Sequence, residues 1–131
     1  MTNQIVTNAG KRLIFHRTFT ATPTITAPSV FSVGTGTTDP TVSDTDLISP
    51  VSIDGDNFKS FVSGYPFLNE NTLQSTIRCF INSLEANGND LTEFGILNSD
   101  GNRILFSRAV FTALSKTNST EMTIIQKDRV V

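Results

Sequence analysis

The stretch that most constrains the fold is residues 91–111, LTEFGILNSDGNRILFSRAVF. Two apolar runs flank Ser99-Asp100-Gly101-Asn102, whose Asp-Gly dipeptide suits a tight hairpin turn because glycine freely adopts positive φ. Charged residues such as Arg108 interrupt the apolar ones, as in strands that bury one face and solvate the other. The stretch therefore predicts an antiparallel β-hairpin, and it contains no catalytic or cofactor motif.

Length and composition indicate one domain of the β class. A chain of 131 residues is long enough for one hydrophobic core without metals or disulfides. Phe is the dominant aromatic residue, and Thr, Ser and Asn are abundant while Lys, Glu and Ala are sparse, which favours strands and turns over helices. Only 17% of the residues are charged and the formal net charge is -2, so we expect no nucleic-acid partner.

The single cysteine and the N-terminal residues predict neither redox function nor secretion. Cys79 has no partner for an internal disulfide and lies in the alternating segment 77–81, so a buried and inert thiol is expected. The first residues have neither a basic start nor an apolar run of signal-peptide length, and no later stretch has the length of a membrane helix. These features predict synthesis in a cytoplasm.

The rest of the chain alternates strand-like segments with turn signals. Residues 1–12 predict an extended arm or a short edge strand that need not pack on its own domain. Pro23 and Pro28 flank residues 24–27, which favours a sheet edge there because proline cannot donate to a ladder. Further strands are predicted at residues 13–19, 30–33, 51–53, 58–62, 72–84 and 121–131.

These segments together predict an all-β fold. With about seven to nine short strands and no convincing helix, residues 13–131 are expected to form a single antiparallel β-sandwich domain of jelly-roll-like topology. The extended N-terminal arm precedes this domain. Exposed edges pair readily with other chains. The candidate interface residues are Ile5, Val6, Thr24, Ile25, Thr26 and Ala27.

Patterns that can mark ligand sites are better explained here by local structure. Gly34 and Gly36 follow a strand, but the third glycine and the lysine of a phosphate loop are missing, so we expect both to supply turns. Residues 54–57, Asp-Gly-Asp-Asn, match part of a calcium loop, yet no Glu closes the site and a hairpin turn is expected. His16 lies among apolar residues without a second histidine. We therefore predict no enzyme, and no catalytic, metal or cofactor site.

Two stretches of the chain resemble structural proteins of tailed bacteriophages. Residues 33–47, VGTGTTDPTVSDTDL, are similar to a VGTGTT-x-P segment of phage tail and tail-fibre proteins, and residues 87–125 are similar to a second block of the same proteins. Both stretches occur in the order found in that family. The residues of the second block that match are Asn87, Gly88, Glu93, Gly95, Asp100, Gly101, Arg108, Phe111, Lys116, Thr117 and Glu121.

The resemblance implies a non-enzymatic virion protein of the tail, collar or fibre-attachment region. Such a protein would be made in the bacterial cytoplasm and would contact other virion proteins and copies of itself as a homo-oligomer, without a membrane partner. One alternative is a capsid decoration protein tied to the shell by the N-terminal arm. Another is a carbohydrate-binding module for host recognition, in which Tyr65 is the candidate glycan contact because sugar platforms use Trp or Tyr.

Overall fold

The structure, a computed structural model, describes residues 3–131, with side chains from residue 4 onward. This part of the chain forms eight strands and one helix. In order they are β1 (Asn3–Val6), α1 (Asn8–Phe19), β2 (Pro28–Gly34), β3 (Lys59–Ser60), β4 (Phe67–Asn69), β5 (Gln74–Ile81), β6 (Asn89–Asn98), β7 (Leu105–Lys116) and β8 (Met122–Arg129). They form a five-stranded sheet, β1-β7-β6-β2-β3, and a three-stranded sheet, β4-β5-β8, both antiparallel.

The two sheets pack face to face over the larger of two hydrophobic clusters, which forms the core. Alternate residues of the central strands point into it, as the two-residue period of a strand requires. The predicted antiparallel β-sandwich is therefore confirmed, although this strand order does not confirm a jelly-roll topology. The buried core residues between the sheets include Phe31, Val33, Ile77, Cys79, Ile81, Leu91, Phe94, Ile96 and Ala109.

The central hairpin is present, but its turn differs from the prediction. Strands β6 and β7 pair antiparallel, with Phe94 opposite Ala109. Their connection is the loop 99–104 rather than a tight Asp-Gly turn. The Asn98 side chain closes the base of this loop, because its Oδ1 accepts a hydrogen bond from Ile104 N at 2.8 Å. Asp100 is turned towards Thr26, whose Oγ1 donates to Asp100 Oδ1 at 2.7 Å.

The predicted strand at residues 13–19 is wrong, because these residues are the second half of helix α1. Thr7 caps the helix, since its Oγ1 accepts a hydrogen bond from Gly10 N at 2.9 Å. A Cβ at position 10 would clash with the carbonyl oxygen of Phe106, so glycine lets the helix lie directly on β7. Leu13 is buried in the same contact. Capping and packing thus outweigh the strand-like composition of this segment.

Of the two alternatives expected for residues 1–12, an extended arm or a short edge strand, the structure shows an edge strand, β1, followed by the start of helix α1. Ile5 is opposite Arg108 and Val6 is opposite Ser107 in the β1–β7 ladder. Thr7 N extends this pairing by donating to Phe106 O at 3.1 Å. The N-terminal segment therefore packs on its own domain as an edge of the five-stranded sheet. Residues 1 and 2 of the expected arm lie outside the described residues.

A long loop, residues 35–49, crosses the outer face of the five-stranded sheet, opposite the core. We call it the covering loop. Thr35 N donates to Ser49 O at 3.0 Å, so the two ends of the loop lie side by side. Leu47 of the loop is buried near Gly95 of β6. After this loop, residues 51–53 do not form the predicted strand, and β3 is only two residues long. The covering loop encloses the charged residues of the candidate site.

Candidate functional site

Two charged side chains, Glu93 of β6 and Arg108 of β7, are fully buried on the outer face of the five-stranded sheet. Their sequence neighbours Phe94 and Ala109 point into the core, so the alternation of the strands directs Glu93 and Arg108 towards the covering loop. Arg108 Nε donates to Glu93 Oε2 at 2.9 Å. Buried charges are tolerated when they are paired and hydrogen-bonded.

The Glu93 carboxylate accepts four hydrogen bonds, three of them from the backbone of the covering loop. Its Oε1 accepts from Gly36 N at 3.0 Å and from Ser49 N at 2.7 Å. Its Oε2 accepts from Ile48 N at 3.0 Å and from Arg108 Nε. Hydrogen bonds to an ionised acceptor are stronger than those between neutral groups. One side chain of the sheet thus ties down both ends of the covering loop.

The Arg108 guanidinium holds the middle of the covering loop. Its Nη2 donates to Thr38 O at 2.9 Å, and its Nη1 donates to Asp44 Oδ2 at 3.1 Å. Asp44 also accepts from Thr41 N at 3.0 Å and from Thr41 Oγ1 at 2.8 Å. Burial acts to raise the pKa of Asp44, but the hydrogen bonds from Thr41 and Arg108 outweigh it and lower that pKa. Asp44 is therefore held as a carboxylate beside the guanidinium. We call Glu93, Arg108 and Asp44 the buried ionic cluster.

Glycines allow the covering loop to approach the sheet this closely. A Cβ on Gly36 would lie 2.7 Å from Glu93 Oε1, and a Cβ on Gly95 would lie 2.8 Å from a methyl carbon of Leu47. Gly34 is similarly close to the Ser49 carbonyl oxygen. Gly34 and Gly36 do not have positive φ, so they serve close packing rather than the turns expected from the sequence.

A smaller cluster holds the turn between β5 and β6. Lys116 is buried, and its Nζ donates to Asn87 Oδ1 at 2.8 Å and to Thr117 O at 3.0 Å. Gly88, with a φ of 84°, donates its N–H to Lys116 O at 2.9 Å. Asn87, Gly88, Lys116 and Thr117 all belong to the second phage-like stretch. Their contacts fix the turn to the end of β7.

The fold therefore brings residues 33–47 and residues 87–125, the two stretches singled out in the sequence, together. Gly36 and Asp44 of the first stretch contact Glu93 and Arg108 of the second. The Arg108 guanidinium and the Glu93 carboxylate are both shielded from solvent, so the geometry of the buried ionic cluster supports anchoring of the loop. The cluster was not predicted from the sequence, because its members on the loop and on the strands lie far apart in the chain.

The candidate interface residues do not form one edge. Ile5 and Val6 lie half-buried in β1 at the edge of the five-stranded sheet. Residues 24–27 are not a strand, which corrects the edge predicted there. The backbone of this segment forms hydrogen bonds with side chains and not with a neighbouring strand. Asn98 Nδ2 donates to Thr26 O at 3.2 Å. Arg17 Nη1 donates to Ile25 O at 2.7 Å. Thr24 and Ala27 are exposed beside these contacts.

The candidate glycan residue Tyr65 is only half-exposed and packs against the core between the sheets. A groove of about 480 Å³ lies elsewhere, and Asp46, Asp56 and Arg103 are among its polar lining. The Arg103 guanidinium lies 3.4 Å from the centre of the Phe58 ring, so it occupies one face of that ring. The aromatic side chain at this groove is thus already in contact with a cation of the same chain.

The one histidine and the one cysteine of the chain, His16 and Cys79, lie in different parts of the structure. His16 lies on α1, where its Nε2 accepts from Thr24 N at 3.1 Å. Cys79 is buried in the core, and burial raises the pKa of its thiol. Among residues 3–131 no group of three or more His, Cys, Asp or Glu side chains is arranged to hold a metal ion. In the same residues no helix has the length and apolar character needed to cross a membrane.

Comparisons with known proteins found no protein similar to this chain. No family model, no curated protein and no solved structure matches this chain.

Proposed function

We propose that this protein is a non-enzymatic structural component of a tailed-bacteriophage particle, located at the tail, collar or fibre-attachment region. The observation that carries this proposal is the contact between the two phage-like stretches. Asp44 of the first stretch and Arg108 of the second are separated by 64 positions, and they share a 3.1 Å hydrogen bond. The residues that carry the resemblance thus contact each other in one folded unit. This contact supports interpreting the two stretches together, as parts of one pattern.

The buried ionic cluster supports a scaffold role through rigidity. Glu93 and Arg108 connect strands β6 and β7 to the start, middle and end of the covering loop. A component of a virion must keep its shape while neighbours bind it, and charge-assisted hydrogen bonds of defined geometry restrict the loop to one position. The covering loop therefore offers neighbours a fixed surface.

Helix α1 supports a role in protein contacts because it presents large apolar side chains to solvent. Phe15 is 65% exposed and Phe19 is 74% exposed, and their ring centres lie 5.0 Å apart. Ile14 beside them is half-exposed. Contiguous exposed apolar groups on a soluble domain commonly mark a binding surface. The helix also carries Lys11, Arg12 and Arg17 and no acidic residue, which favours a partner with an acidic rim.

The location on the particle can be tested directly. Mass spectrometry of virions purified from the infected or induced host is expected to detect the protein, and antibody labelling in electron microscopy is expected to mark the tail, collar or fibre base. Label spread over the head would instead favour the capsid decoration alternative. Purified virions that lack the protein would contradict both assignments.

The contact surface can be tested by removing its aromatic rings. The double variant Phe15→Ser and Phe19→Ser should keep the native circular dichroism spectrum, because both side chains are exposed, but should be incorporated into particles much less than wild type. Leu84→Ser is the matched control, since Leu84 is 84% exposed at a different place. Equal incorporation of all three proteins would rule out the helix as a contact surface.

A further inference from the structure

We infer that β8 is a self-pairing edge, through which two copies of this chain join their three-stranded sheets into one continuous antiparallel sheet. The inference goes beyond the proposed function, because the pairing requires no phage particle. β8 pairs with β5 on one side, and among the described residues no strand pairs with its other side. Its outer edge therefore presents a row of backbone N–H and C=O groups to solvent.

Apart from the exposed Lys127, this edge lacks the features that usually protect a strand from pairing. β8 is eight residues long and contains neither proline nor glycine. Its ladder with β5 runs without a register shift from Met122 to Arg129, so no bulge bends the edge away. The opposite edge of the same sheet, β4, is only three residues long. Long straight edges readily accept another strand by backbone hydrogen bonding.

One register that satisfies both symmetry and charge has its two-fold axis at Ile125. When two identical antiparallel strands pair about a two-fold axis, the solvent-facing side chains of both copies must lie on the same face of the joined sheet. This requires each exposed residue to lie opposite an exposed residue of the second copy. With the two-fold axis at Ile125, this side chain meets Ile125 of the second copy. Glu121 then lies opposite Arg129 of the second copy, and Arg129 lies opposite its Glu121. Two opposite-charge pairs thus close the two ends of the paired strands.

The surface beside β8 also fits a second copy. A groove of about 290 Å³ runs between β7 and β8 and is lined mainly by apolar side chains. Two of them, Leu114 and Ile125, are 51% and 52% exposed. A second β8 laid along the edge would bring its own exposed Ile125 against this groove. The second copy thus supplies apolar contacts beside the strand and complementary charges at its ends.

Cysteine cross-linking can test the register in which the two β8 strands pair. In Ile125→Cys the introduced thiols face each other across the axis at about 5 Å, within reach of a disulfide. In the control Thr123→Cys they are about 14 Å apart, too far for a disulfide. The native Cys79 is 1% exposed and does not compete. Under mild oxidation we expect a covalent dimer of Ile125→Cys and none of Thr123→Cys. No dimer in either variant, or equal dimer in both, would overturn the inference.

Charge reversal tests the same register without a covalent bond. In light scattering, wild type should reach the mass of a dimer as its concentration rises. Glu121→Arg alone, or Arg129→Glu alone, places like charges at both ends and should lower the dimer fraction at a given concentration. The double variant restores opposite charges and should recover it. A wild type that is monomeric at every concentration, or a double variant as weak as the single ones, would refute the pairing.

Discussion

Glu93 and Arg108 form a diagonal ion pair across β6 and β7, with 2.9 Å between Oε2 and Nε and neither side chain exposed to solvent. The residue opposite Arg108 in the ladder is Gly95, and the residue opposite Glu93 is Val110. Removing both charges from water costs several kcal/mol, of the order of 5, which an ion pair alone seldom offsets. Here three backbone N–H groups of the covering loop also bond to Glu93. The pair therefore stabilises the position of the loop.

Glu93→Gln should destabilise the fold strongly although it preserves the shape of the side chain. All four hydrogen-bond partners of Glu93 are donors, so either orientation of the new amide would point its NH₂ group at N–H groups. We expect a loss of about 3–5 kcal/mol in the free energy of unfolding, measured by urea denaturation. Glu70→Gln at an exposed position is the control and should change it by less than about 0.5 kcal/mol. Equal stability of the two variants would contradict the anchoring role.

Gly36→Ala should destabilise the protein, while Gly101→Ala should not. The methyl group at position 36 would lie 2.6 Å from Ile48 Cβ and 2.7 Å from Glu93 Oε1, whereas at position 101 it meets no atom within 4 Å. Overpacking of this kind costs about 1–3 kcal/mol. Thermal unfolding followed by circular dichroism should show a lower midpoint for Gly36→Ala only. Similar midpoints would mean that the covering loop can move away from the sheet.

Acid should weaken the buried ionic cluster through Asp44. The pKa of this carboxyl is lowered in the folded chain, so its contribution to stability is fully present above the unfolded pKa and is lost as the pH falls through the folded one. Asp44→Asn can keep the hydrogen bonds to Thr41 but loses the charge beside Arg108. We expect wild type to be the more stable at pH 7, with a difference in urea midpoint that shrinks in acid.

The control for this pH dependence is Asp90→Asn, which changes an exposed carboxyl outside the cluster. Its difference in urea midpoint from wild type should be small at every pH. If the difference between Asp44→Asn and wild type were also independent of pH, the interaction between the Asp44 charge and Arg108 would contribute nothing to stability.

Cys79 should be inert while the protein is folded. Burial in the core keeps reagents away from the thiol, and it also raises the pKa of the thiol, so that little reactive thiolate forms. With a chromogenic disulfide reagent near neutral pH, we expect almost no reaction in buffer and complete reaction in denaturant. Rapid labelling of the folded protein would show that the core opens around β5 far more often than its packing suggests.

Local patterns in the sequence were sufficient for most of the strands. The alternation of Ile77, Cys79 and Ile81 predicted β5 and its buried face, and the last predicted strand is β8. Alternation depends only on residues a few positions apart, which is why it can be recognised without the fold. The same local reading failed at Leu13, because the strand-like composition there is outweighed by the Thr7 cap and by the contact of Gly10 with Phe106.

The sequence by itself determined that the chain forms sheets with one buried face, because that follows from the order of apolar and polar residues. Only the tertiary structure decided what Glu93 and Arg108 do. Their partners, Gly36, Thr38, Asp44, Ile48 and Ser49, lie between 44 and 70 positions away in the chain. No local pattern encodes such distances. A charged residue on a strand becomes a surface group or an anchor only when a distant loop covers it and takes the place of water.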